Sequence, residues 1–180
     1  LYPDVYGDKS LIVGFPEYDI NNIKLKSVEQ ISTLKIIGCE MRGKQLEIYK
    51  TMNLKGSDED YGSFNLTGLM ASNIVYPSNN TGNIKNIIGD NGLKNIAIKK
   101  KGKYTFVDEK ARDFFHMDNI KHYSTKIYNI LKNIEGKEGI IFIYSRFIGS
   151  GILPLALALE MNGYSNYSGP LLDKKVSKTD

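Results

Sequence analysis

The stretch that most constrains the fold is residues 138–164, EGIIFIYSRFIGSGILPLALALEMNGY. Residues 140–145 (IIFIYS) are a continuous apolar run of strand length. Such a run reads as a strand covered on both faces, as in a parallel sheet flanked by helices. The small-residue turn Gly149, Ser150, Gly151 follows, and then an almost wholly apolar helix from about residue 150 to 162. Pro154 falls in its first turn, where a missing N–H costs nothing, and Gly163 stops it. Strand, small-residue turn and helix in that order are where α/β proteins place phosphate sites and nucleophiles.

The segments before and after extend the pattern. Residues 124–136, STKIYNILKNIEG, put Ile127, Ile130, Leu131 and Ile134 on one helical face. Ser124 can cap that helix and Gly136 can end it. A strand-like YSNYSG follows residue 163, so the last third reads helix, strand, helix, strand, an α/β order. Upstream, β-branched residues at 31–41 predict a strand, 43–53 a helix, and 64–82 a short helix ending near Ser72. Residues 96–107, IAIKKKGKYTFV, read as a hairpin with Lys101 and Gly102 at its turn. EKARDFFHM at 109–117 is a helix candidate. Residues 1–30 read as loops around one short strand at 11–15, and 54–63 as a polar loop.

Composition narrows the function classes. A chain of 180 residues with 41% hydrophobic residues suits one domain, or a domain with part of another. The net charge of +4 permits a polyanionic partner without requiring one. The one cysteine, Cys39, excludes an internal disulfide and points to a reducing compartment. No apolar run reaches the roughly 18–20 residues that a membrane helix needs, so no membrane partner is expected.

No local pattern assembles a catalytic set. The turn at 149–151 lacks the lysine of a G-x-x-x-x-G-K-S/T loop, and Pro154 stands where a dinucleotide fingerprint needs its third glycine. It does not fit the G-x-S-x-G elbow either. Two readings of the turn remain, a tight connection or an anion contact. In the second, helix N-terminal amides act beside Ser145, Arg146 and Ser150. Lys99, Lys100, Lys101 and Lys103 crowd the hairpin tip, where they can hold phosphates by charge or simply be solvated. His116 and His122 have no metal-ligand spacing, Cys39 reads as a small core residue, and Asp58, Glu59 and Asp60 read as a solvated loop.

The order of these pieces is similar to Snf2-like superfamily 2 helicases. TLKIIGCEMRGKQLEIYKTM resembles the stretch after the first RecA-like lobe, through Cys39, Met41, Gln45 and Tyr49. LMASNIVYPS (69–78) resembles the segment before the second lobe. YSTKIYNILKNI (123–134) resembles the Ser-x-Lys helix that opens it, through Ser124 and Lys126. The stretch from 139 to 164 resembles helicase motif IV and its helix. The wording over 123–167 is most like the helicases of large cytoplasmic DNA viruses, of the poxvirus early transcription factor and nucleoside triphosphatase type, with giant-virus relatives.

The resemblance implies an α/β fold, a partial RecA-like helicase C-terminal lobe at 123–180. A mixed α+β inter-lobe region at 1–122 precedes it. The chain is expected to be a fragment of an ATP-dependent helicase or translocase acting in a virus factory or virion. Its partners would be nucleic acid, with DNA expected before RNA, and viral transcription machinery. ATP and magnesium would be bound by parent motifs that these 180 residues do not contain. Nucleic-acid contact is expected at Ser145, Arg146 and Ser150 and at Lys99, Lys100, Lys101 and Lys103. The alternative is a small non-catalytic α/β nucleic-acid-binding protein. An open reading frame that continues upstream with a P-loop and a DExx box separates the first from the second. The 180-residue chain by itself is expected not to hydrolyse ATP; turnover well above a buffer blank that survives repurification would refute this.

Overall fold

The computed structural model describes residues 18, 21–24, 36–53, 66–78 and 83–176. The chain divides into two compact units, Leu1–Gly38 and Cys39–Asp180. In the first, Tyr18 and Lys24 form an isolated antiparallel bridge around Asn22, whose φ is 63°. The strand expected at 11–15, the first half of the one expected at 31–41 and the acidic loop at 54–63 lie outside the described residues. Residues 36–41 form no strand, and Ile36 is 86% exposed.

The second unit begins with helix α1 (Gly43–Asn53) and helix α2 (Leu66–Asn73), close to where the apolar spacing places them. A 3₁₀ turn (Ile84–Asn86) and a short helix α3 (Gly89–Leu93) lead into the hairpin of β1 (Ala97–Lys100) and β2 (Lys103–Phe106). Its strands pair antiparallel, with Lys100 opposite Lys103. The two-residue loop has φ of 47° at Lys101 and 85° at Gly102. Positive φ at both central positions is the type I′ geometry, whose twist matches the flanking strands.

Helix α4 (Met117–Ile120) and helix α5 (Thr125–Ile134) follow. The expected helix at 109–117 is corrected here to a series of turns. The segment closes i→i−3 turns, with Phe114 N on Ala111 O at 3.1 Å and His116 N on Asp113 O at 3.0 Å. Asp108 Oδ1 accepts from Ala111 N at 2.8 Å, and the carbonyls of Asp113 and Phe115 accept from the side chains of Asn119 and Asn162, each at 3.0 Å. Helix α5 is as the sequence indicates. Ser124 Oγ caps it by accepting from Ile127 N at 3.1 Å, Ile127 and Leu131 are buried, and Gly136 beyond its end has φ 66°.

Residues 140–145 have no regular structure, which corrects the buried-strand expectation. Ile140 is 102% exposed and Phe142 89%, and no strand among the described residues pairs with the run. An apolar run announces that cover is needed, not where the cover comes from. An irregular turn (Ile148–Ile152) then leads into helix α6 (Leu153–Met161), with Pro154 in its first turn. The strand-like 164–169 is also corrected. Asn166 organises a turn there, its Oδ1 accepting from Ser168 N and its carbonyl from Gly169 N. The strand comes later, as β3 (Leu172–Val176), which pairs parallel to β2 with an irregularity at Thr105 and Phe106. The observed sheet has the order β1-β2-β3, so the unit is a mixture of helix and sheet with one parallel pair.

The main core joins Ile74, Tyr76, Ile96, Phe106, Phe114, Phe115 and Ile120 to Ile127 and Leu131 of α5 and Leu155, Leu157 and Ala158 of α6. A polar cluster fastens α1 and α2 to it. Gln45 is wholly buried. Its Nε2 donates to the carbonyls of Ala71 and Ser72 at 3.0 and 3.1 Å. Its Oε1 accepts from Thr125 N and Thr125 Oγ1, both at 3.0 Å. Gln45→Ala would strand all four partners at a buried seam, where each unsatisfied group costs roughly 1–3 kcal/mol. The expected loss is about 3 kcal/mol or more, read as a lower urea midpoint; a shift under about 0.5 kcal/mol would sink this account.

Candidate nucleic-acid interface

Three segments singled out in the sequence meet around the start of α5. Ser124 Oγ donates to Asn73 O at 2.5 Å while capping the helix. Lys126 Nζ donates to Ser72 Oγ at 3.1 Å and to Asn73 Oδ1 at 2.9 Å. Val75 N donates to Tyr123 O, and Gln45 N to His122 O, both at 3.0 Å. The cluster is a clamp between α1, α2 and α5. Gln45, Ser124 and Lys126 spend their polar atoms on protein partners. Tyr49 packs with the smaller apolar cluster of Ala71, Val75, Ile87 and Ile88, and Met41 and Cys39 are half-buried.

The turn at 149–151 is a second junction, and each small residue has a steric or hydrogen-bonding reason. A methyl group on Gly149 would overlap the Asp90 side chain and lie 2.6 Å from the Asp90 amide. The start of α3 therefore passes directly over this backbone. Ser150 is buried, and its Oγ accepts from Gly89 N at 2.7 Å. It thus satisfies a donor at the start of α3. A Cβ on Gly151 would strike Ser145 Oγ. Tyr76 is wholly buried, and its hydroxyl donates to Gly149 O at 2.7 Å. Burial, with the Asp90 carboxylate nearby, raises the Tyr76 phenol well above its ordinary value, so it stays a donor at neutral pH.

Arg146 stands apart from these spent groups. It is exposed, and among the described residues no carboxylate pairs with it. Ser145 Oγ accepts from Phe147 N and bonds Phe147 O, both at 3.2 Å, which holds the bend on which Arg146 projects. The four hairpin lysines are likewise exposed. Lys99 Nζ lies 5.9 Å from the centre of the Tyr104 ring. Lys100 and Lys103 are direct cross-strand partners.

The structure does not gather the seven expected residues into one site. It sets the lysines at a hairpin tip, Arg146 with Ser145 at the bend before α6, and Ser150 inside the packing. Among the described residues no group of three or more His, Cys, Asp or Glu side chains could hold a metal ion, and no helix is long and apolar enough to cross a membrane. Sequence reasoning did not single out Tyr76, Gly89 or Asp90 as partners of the turn. The available signal was the Gly89, Gly92 pair, since a Cβ on Gly92 would lie 2.5 Å from the Tyr76 ring.

No protein-family model and no solved structure matches the chain. It is 28% identical over 163 residues to a protein of Acanthamoeba polyphaga mimivirus that carries the provisional name ATP-dependent RNA helicase. The match takes in 87% of this chain but only 24% of the mimivirus protein, so the chain spans about a quarter of that relative's length. The likeness is to a viral helicase-type protein.

The junction and the exposed arginine separate by mutation. Gly149→Ala is expected to cost about 1–3 kcal/mol through overpacking, whereas Arg146→Ala should stay within about 0.5 kcal/mol. Equal effects in urea unfolding would show that the turn is not the packing junction described.

Proposed function

We propose that the chain is a segment of an ATP-dependent nucleic-acid helicase or translocase of viral type. In this reading 1–122 spans the region between two RecA-like lobes, and 123–180 is the first half of the second lobe. The observation that carries it is the relationship to the mimivirus protein, which runs through nearly the whole chain. The convergence of Gln45, Asn73, Ser124 and Lys126 on one clamp supports it, because a junction between lobes must be held rigidly if force is to pass through it.

In this reading the chain's own part is to hold the track, not to split ATP. A translocase must grip phosphates whatever the bases are, and positive side chains supply that grip. Arg146 offers a planar fork for two phosphate oxygens, and Lys99, Lys100, Lys101 and Lys103 offer point charges. Ser145 positions the bend beneath Arg146, and Ser150 supports it from inside through Gly89. ATP and magnesium would sit on other parts of the parent polypeptide. The track is a single strand of DNA or RNA; the mimivirus relative's name specifies RNA. Early viral transcription is the setting that the sequence resemblance favours.

The apolar run at 140–145 belongs to the same proposal. A strand of the second lobe would pair there with further chain, covering Ile140 and Phe142 and supplying partners that the run does not find among the described residues.

In the longer polypeptide, Arg146→Ala is expected to weaken binding of a single-stranded oligonucleotide by about tenfold or more, the worth of a charge-assisted hydrogen bond. It should lower stimulation of ATP turnover by that oligonucleotide to a similar extent. Paired DNA and RNA assays identify the track. Unchanged stimulation with both nucleic acids would remove Arg146 from the contact, and a parent with no ATP turnover would remove the helicase reading.

A further inference from the structure

A cleft of about 570 Å³ opens at the base of the hairpin, at the opposite end from the lysine-bearing tip. Lys94, Asn95 and Ile96, which run into β1, form one wall. Val107, Asp108 and Lys110, which follow β2, form the next, and Pro77, Phe114, Asn119 and Tyr123 are also in the lining. None of Ser145, Arg146, Ser150 or the four hairpin lysines lines it. Its volume lies within the range of small-ligand sites.

The lining divides by chemistry. Phe114 and Tyr123 make an aromatic wall, their rings 4.9 Å apart and tilted by 50°. Tyr76 stacks behind Phe114 at 5.8 Å, which stiffens the wall. Phe114 is nearly buried, while Tyr123 is half-exposed, so Tyr123 presents the accessible surface. Two exposed ammonium groups, Lys94 and Lys110, stand at the rim, with the carboxamides of Asn95 and Asn119. Asp108 is the one carboxylate among the described residues of the lining, and its Oδ1 accepts from Ala111 N. The asparagine amides are likewise anchored, Asn95 on Asn86 O at 2.7 Å and Asn119 on Asp113 O at 3.0 Å.

A flat, partly apolar wall with fixed amides and a cationic rim fits a ligand that is planar at one end and anionic at the other. We propose that this cleft binds a nucleotide unit, its base against Tyr123 and its phosphate between Lys94 and Lys110. Aromatic stacking with lysine contacts to phosphate is the chemistry by which proteins hold single-stranded nucleic acid without reading sequence. A free nucleotide offers the same two ends, so the source is decided by experiment. The cleft goes beyond the track contact proposed for Arg146 and the hairpin and does not depend on it.

The test follows backbone amide resonances of the ¹⁵N-labelled 180-residue chain during titration with dTMP, with the oligonucleotide (dT)₄ and with inorganic phosphate. This readout resolves each site, so failure of the helicase reading would not remove the shifts. Expected are shifts centred on Lys94, Asn95, Ile96, Asp108 and Ala111 with (dT)₄, dTMP or both, and much weaker ones with phosphate. Tighter binding of (dT)₄ assigns the cleft to a strand, and tighter binding of dTMP to a free nucleotide. Lys94→Glu with Lys110→Glu, both at exposed positions, should weaken that binding by about tenfold or more. Tyr123→Leu should weaken it where the variant keeps its folded spectrum. Absence of shifts at these amides, phosphate binding as tight as dTMP, or indifference to the double lysine change would each overturn the proposal.

Discussion

The second unit depends on one buried carboxamide. Gln45 brings two donors and an acceptor with two lone pairs into a dry seam, and all four capacities are filled by groups far away in sequence. A side chain so placed fixes register as well as proximity. If α1 slid by one residue, its amide would face apolar side chains and four partners would lose their bonds. The consequence spreads along 71–76. With Ala71 and Ser72 held by Gln45 and Asn73 held by Ser124, Val75 lies against Tyr123 and Tyr76 enters the core. The Tyr76 hydroxyl then reaches Gly149, so a constraint at α1 is felt at the turn before α6.

At that turn the chemistry is subtractive. Gly149 permits the start of α3 to lie on the backbone, Gly151 leaves room for Ser145, and the hydroxyl between them is consumed by the Gly89 amide. A sequence rich in glycine and serine beside a helix invites a phosphate reading because exposed amides favour anions. Here Ser150 is buried, and the positive group left facing solvent is Arg146, three residues before the glycine. Packing explains the glycines, and a solvent-facing charge without a carboxylate partner among the described residues marks the candidate contact.

The elements legible in the sequence are those whose information is local. The hairpin was readable because Lys-Gly can take the two positive φ values of its turn, and α5 because Ser124, a four-residue apolar stripe and Gly136 agree with one another. The failures share the opposite property. Residues 109–117 have helix-forming composition, but they close i→i−3 turns whose later carbonyls are held by Asn119 and Asn162, and neither contact can be read from the segment itself. Residues 164–169 look extended until Asn166 turns back on its own backbone. The expected site residues were legible as charges and hydroxyls. That Ser150 is spent depended on Gly89, more than fifty positions away.

The run at 140–145 joins these threads. From Phe142 to Ile148, Ile143, Ser145 and Phe147 are half-buried, while Phe142, Tyr144, Arg146 and Ile148 are exposed. That two-residue alternation is the side-chain geometry of a strand, with no ladder to complete one among the described residues. One side rests on the core through Ile143, and the other leaves Phe142 and Tyr144 in water. Covering a large apolar side chain is worth roughly 1.5–3 kcal/mol, so any chain able to pair here has a strong reason to do so. The alternation also sets a limit on such cover. Arg146 lies on the same open side as Phe142 and Tyr144, two residues further on. A covering element that extended over Arg146 would bury its guanidinium without a carboxylate partner from the described residues, at a cost of several kcal/mol. Cover that ends at Tyr144 leaves the apolar pair buried and the cation in solvent. That is the arrangement in which Arg146 can meet a phosphate.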